Sequence, residues 1–127
     1  MAIDVFVSDE HVAIHLSGID SVVALKSRLI LATSDVVSAS VQPRDEALAR
    51  LSWRLGGTHV PGIVTAGRYA VRDASGERVE GDRAFVSVSK DDEVLVIETS
   101  LADPRLVILQ HQDAHELAWL IGERVDR

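Results

Sequence analysis

Val94-Leu95-Val96-Ile97 and Leu106-Val107-Ile108-Leu109 are two short apolar runs, and an amphipathic pattern from Asp113 to about Val125 follows them directly. A strand that is apolar at every position has two apolar faces, and both must be covered. The closing segment supplies a cover. At about 100° per residue, Ala114, Leu117, Ala118, Ile121 and Val125 fall in one stripe of a helix. Asp113 precedes that stripe and Glu116 stands three residues later, the spacing of a capping box with Asp in place of Ser or Thr. Both acids also suit the positive end of a helix. Trp119 projects to nearly the opposite side. This last third of the chain predicts a mainly β, α+β fold: a small curved sheet or barrel closed by the C-terminal α-helix.

The segments upstream supply the wall. Ile3, Val5 and Val7 alternate with polar or outward positions, Ser8-Asp9-Glu10 is a polar turn, and Val12, Ile14 and Leu16 share one face of a second strand. The two strands read as a hairpin. Spacing of Ile19, Val22 and Val23 predicts a short helix from about Ile19 to Ser27, with continued strand as the alternative because valine is β-branched. Leu29-Ile30-Leu31 is apolar. Val37, Ala39 and Val41 alternate with serines and valine until Pro43, which cannot donate to a ladder. Ala47, Leu48, Leu51 and Leu55 predict a second helix over Arg44 to Leu55. Gly56 to Gly62 carries three glycines and a proline and reads as the longest loop. Extended chain resumes from Ile63 to Val71, Asp73 to Gly76 is a turn, Ala84 to Val88 is a strand, and Lys90 to Glu93 is a hairpin turn. No composition shift or repeat divides the chain, so residues 1–127 read as a single domain.

Composition narrows the functional classes. The absence of cysteine removes thiolate metal sites, disulfides and cysteine nucleophiles. A net charge of −7 with dispersed Lys and Arg is unsuited to phosphate backbones and anionic lipid head groups. The N-terminus lacks the basic and apolar regions of a signal peptide, and no apolar run approaches a membrane span of about 20 residues. A cytoplasmic protein is the expectation.

The motifs of catalysis fail one by one. His115-Glu116 would need a second histidine at position 119, where Trp119 stands. His111 and His115 have i, i+4 spacing, but Asp113 as cap leaves His111 outside the helix. His11 and His15 share a strand face yet lie about 13 Å apart. His59 has no Ser, Asp or Glu placed beside it as a catalytic partner. Gly56, Gly57 and Gly62 are followed by neither a Lys-Ser/Thr pair nor a dinucleotide fingerprint, and adjacent acids such as Asp91-Asp92-Glu93 are ordinarily solvated. Arg44, Arg50 and Arg54 are offset by Asp45 and Glu46. No catalytic, cofactor-binding or metal-ligating residue is expected. Trp119, Trp53 and His59 are the candidate partner contacts, because tryptophan is enriched at binding hot spots and irregular segments often carry function.

A family resemblance rests on short motifs spread over most of the chain. Gly57-Thr-His-Val-Pro-Gly62, Gly67-Arg-Tyr69, Val94-Leu-Val-Ile-Glu98 and Arg105-Leu-Val-Ile108 resemble a family of bacterial pleckstrin-homology-like domains, as do Ala24-Leu-Lys-Ser-Arg28 and Val36 to Val41. The resemblance implies a mostly antiparallel, partly open barrel of about seven strands closed by a C-terminal helix. An aromatic pair expected before the sixth strand is reduced to Phe85, with Val86 beside it. Related lipid-binding domains hold phosphoinositides with basic residues at the first hairpin, where this chain has Ser8-Asp9-Glu10. No phosphoinositide or membrane binding is therefore expected. The resulting expectation is a non-catalytic binding or scaffold domain that engages a protein partner or a second copy of itself, with no nucleic acid. The alternative is a small-molecule binder using the barrel mouth or the Gly56–Gly62 loop.

Overall fold

A computed structural model of the protein describes residues 2–17, 28–60, 64–73, 75–89 and 92–125. Strands β1 (Ala2–Val7), β2 (His11–Ser17) and β3 (Arg28–Ala32) form a three-stranded antiparallel meander. Its register pairs Val5 with Ile14 and Ile14 with Leu29, and likewise Val7 with Val12 and Val12 with Leu31. Each apolar row therefore crosses the whole sheet on one face, because side chains alternate with period two. Ser8 closes the β1–β2 hairpin: its N–H donates to the His11 carbonyl at 2.9 Å, and its Oγ accepts the His11 N–H at 3.0 Å. The expected helix from Ile19 to Ser27 lies outside the described residues.

A short 3₁₀ turn, Thr33–Asp35, leads into β4 (Val36–Pro43) and helix α1 (Arg44–Leu48). Strands β5 (Leu51–Val60), β6 (Val64–Arg72), β7 (Arg78–Val88), β8 (Glu93–Thr99) and β9 (Leu106–Leu109) follow, and helix α2 (Ala114–Val125) comes last. These strands form a second sheet in the order β4-β8-β9-β7-β6-β5. The two edge strands β4 and β5 do not pair with each other, so the sheet does not close into a barrel.

Two expectations about connectivity are corrected. The described residues form two sheets, not one curved wall, and β9 runs parallel to β7. The β7–β8 connection is consequently not a hairpin turn: β9 is inserted between those two strands, antiparallel to β8. Composition explains the insertion. Leu106, Val107, Ile108 and Leu109 are each completely buried. A strand with no polar face belongs in the interior of a sheet with cover on both sides.

The cover comes from two cores. Leu95, Ile97, Val107 and Leu109 face the inner side of the three-stranded sheet and the apolar stripe of α2. Val94, Val96, Leu106 and Ile108 face the other way, toward Ala47 of α1, Leu51, Tyr69, Val71, Ala84 and Val86. Alternate residues of one strand thus serve different cores.

Helix α2 matches the predicted stripe. Ala114, Leu117 and Ile121 are buried, and Ala118 and Val125 pack against them. The Leu117 N–H donates to the Asp113 carbonyl at 2.9 Å, which places Asp113 at the N-cap. At the other end, Arg124 Nη1 lies 3.0 Å from Asp9 Oδ1 and ties the last turn of α2 to the β1–β2 turn. Arg124 also suits the negative end of the helix.

The second predicted helix is shorter than its pattern. It ends at Leu48, and Leu51 onward is strand β5. Ala47 and Leu51 remain in the same core, so one apolar series is satisfied by a helix and then a strand. Gly56 and Gly57 disfavour helix just beyond. They stand in β5 and not in a loop, with Gly57 opposite Gly67 and Thr58 opposite Ala66 of β6. Pro61 and Gly62 of the expected loop lie outside the described residues. Among the described residues no helix is long and apolar enough to cross a membrane.

Candidate functional site

The second helix carries the best-defined candidate. Trp119 is 64% exposed while Ile121, two residues on, is fully buried. The two point to different sides because successive helix residues are rotated by about 100°. Glu116 and His115 are exposed on the same helix, and His115 Nε2 lies 3.4 Å from Glu93 Oε1 at the start of β8. An exposed indole beside acids and an imidazole can bury its apolar face against another surface while its N–H donates.

Trp53 and His59 both belong to β5. Trp53 falls where the β5–β6 register shifts between Leu51 and Arg54, and His59 pairs with Thr65 near the far end of the strand. Six residues of strand separate them by about 20 Å. They do not form one site with each other. The environments of their side chains lie outside the described residues.

The remaining histidines have structural surroundings. His111 Nδ1 accepts the Asp113 N–H at 3.0 Å, immediately before α2. It is therefore engaged in opening the helix. His11 and His15 are exposed on β2. Among the described residues no three His, Asp or Glu side chains come together as a metal site.

One polar cluster was not legible in the sequence. Glu98, at the end of β8, accepts a hydrogen bond from Arg50 Nη1 at 2.8 Å and another from Ser38 Oγ of β4 at 3.2 Å. The Arg50 hydrogen bond, with further help from Ser38 and the charge of Arg105, holds the Glu98 carboxyl below the usual glutamate value. A carboxylate so stabilised is a poor general base. Its geometry is that of a clamp across the sheet between β8, β4 and the α1–β5 connection. The only sequence signal was Glu98 itself, a charge ending an apolar run.

Asp73 is a second perturbed acid among the described residues. Its Oδ1 accepts from Ser75 Oγ at 2.6 Å and from the Ser75 and Glu77 N–H groups at 2.9 and 3.1 Å. The Ser75 hydroxyl lowers its pKa most. This is an Asx turn that shapes the β6–β7 hairpin. Arg68 of β6 pairs with Asp103 in the β8–β9 connection, half-exposed on both sides.

Comparison with known proteins yields no relative: no family model matches the chain, and no curated protein or solved structure is significantly similar to it.

Proposed function

We propose that the chain is a cytoplasmic, non-catalytic binding or scaffold module of pleckstrin-homology-like architecture, which engages a protein partner or a second copy of itself. The observation that carries this reading is Trp119, 64% exposed on a helix whose opposite side is sealed into the core. A rigid helix with a buried stripe presents its outer tryptophan at little entropic cost, and tryptophan is the residue most enriched at binding hot spots. The strongly paired β8–β9 strands followed by a covering helix support the architectural part. The parallel β7–β9 pair and the separate three-stranded sheet are departures from it. The acidic first hairpin, with Asp9 and Glu10 exposed, supports a protein partner over an anionic lipid.

The test compares wild type with Trp119→Ala. Solution mass is measured for both, and both are used as bait against a soluble extract of their own expression host. Loss of self-association or of a captured protein on removal of the indole supports the reading. A wild type that is strictly monomeric and captures nothing that the variant misses sinks it.

A further inference from the structure

A second surface carries its own argument. Among the described residues the large apolar side chains left exposed are Phe6, Ile30, Val37 and Trp119. Phe6 at 62% and Ile30 at 54% lie on the outer face of the three-stranded sheet. Register aligns them: Phe6 is opposite Ala13 and Ala13 is opposite Ile30. Two residues along each strand, on the same face, Asp4 is opposite His15 and His15 is opposite Arg28. Asp4, His15 and Arg28 are exposed, and among the described residues no ion pair engages Asp4 or Arg28. Two strand spacings, about 9.6 Å, separate the two backbones, with His15 between them.

These two rows are complementary to their own reverse. A two-fold axis running along β2, in the plane between two copies, lays β1 of one over β3 of the other. Asp4 then faces the second copy's Arg28, and Phe6 faces its Ile30, twice in each assembly. An isologous interface demands such a self-complementary patch. An axis across the strands would lay β1 on β1 and set no acid over a base. We propose that the outer face of β1–β3 is a self-association surface on which a second copy docks about a two-fold axis along β2, with Asp4 on Arg28 and Phe6 on Ile30. The other face of the sheet is already filled by the core, so only this face is open to a partner.

The size of the patch sets its strength. Three strands by four residues cover about 200 Å², against roughly 800 Å² per partner in a stable interface. Association is therefore weak and reversible, with a Kd of about 0.1–1 mM. It does not rest on Trp119.

Sedimentation equilibrium of the full chain from about 10 μM to 1 mM spans that range. The wild type shifts toward twice its monomer mass at the upper end. Asp4→Arg and Phe6→Ser each weaken association at least tenfold, roughly the effect of one lost charge pair or apolar anchor. The double exchange Asp4→Arg with Arg28→Asp restores association to within about threefold of wild type. Ile30→Thr replaces Phe6→Ser should that variant lose its far-ultraviolet spectrum. A wild type that stays monomeric throughout overturns the proposal. So does a double exchange that fails to recover. Dimerisation abolished by Trp119→Ala and indifferent to Asp4→Arg overturns it in favour of the helix surface.

Discussion

Arg50 Nη1 lies 2.8 Å from Glu98 Oε1, joining the α1–β5 connection to the end of β8 across 48 residues of sequence. The Arg50 and Glu98 side chains are 34% and 30% exposed, so the pair is only partly screened by solvent. The Glu98 carboxyl has a lower pKa in the folded chain than its ordinary value of 4.5. A lowered folded-state pKa means that the stabilisation is fully present above the unfolded value and is lost as pH falls through the folded one. Glu98→Gln should cost about 1 kcal/mol at neutral pH, the upper end for a partly exposed pair. Urea unfolding at stepped pH checks this. The gap between wild type and variant should shrink below about pH 4.5. A gap of constant size at every pH would remove the ionic role.

Ile121 is fully buried against Leu117 and the core that the three-stranded sheet shares with β8 and β9. Ile121→Ala removes buried methylenes at a junction of a helix and two sheets, where relaxation of one layer is resisted by the others. The expected loss is about 2–5 kcal/mol. Trp119→Ala, two residues earlier, should stay within about 0.5 kcal/mol because the indole is exposed. Thermal or denaturant midpoints of the two variants give the contrast directly. Equal losses would mean that the two sides of α2 are not distinct.

Much of this fold was legible because apolar spacing reports burial. The stripe Ala114, Leu117, Ile121 named the buried side of α2, and the unbroken runs 94–97 and 106–109 announced strands covered on both faces. Strand order was not legible. Nothing in Leu106 to Leu109 says whether it lies beside β8 alone or is also inserted against β7, since pairing partners are chosen by tertiary packing. Leu51 misled for a related reason: its spacing from Ala47 fits a helix turn, but Gly56 and Gly57 just beyond disfavour helix, and the segment pairs with β6 instead. Those glycines read as loop because glycine is usually punctuation. Here they sit in paired strand. The Glu98 clamp was invisible because Ser38 and Arg50 reach it only through the fold.

Gly67 has φ of +124°, a backbone conformation that residues with a Cβ rarely adopt. It stands opposite both Gly57 of β5 and Val86 of β7, on a strand paired on both sides. Gly67→Ala should therefore destabilise by about 1–3 kcal/mol, although alanine usually stabilises by restricting the unfolded chain. The opposite sign in a denaturation experiment would show that the backbone there relaxes without strain.

Thr99 is a completely buried polar residue, and its hydroxyl organises the connection between β8 and β9. Oγ1 donates to the Pro104 carbonyl and accepts the Leu101 N–H at 3.1 Å. The Thr99 N–H donates to the Arg105 carbonyl at 3.0 Å, and the Arg105 guanidinium returns a hydrogen bond to the Thr99 carbonyl. This connection aims β9 into the slot between β8 and β7. Thr99→Val keeps the shape but leaves a carbonyl and an N–H without their hydroxyl, at a cost of about 1–3 kcal/mol. Thr99→Ser keeps the hydroxyl and loses one methyl, for about 1 kcal/mol. Serine should therefore be the milder change, and amide exchange in residues 100–105 should accelerate in the valine variant alone. If valine proves as stable as wild type, the connection is held by its backbone hydrogen bonds and the hydroxyl is incidental.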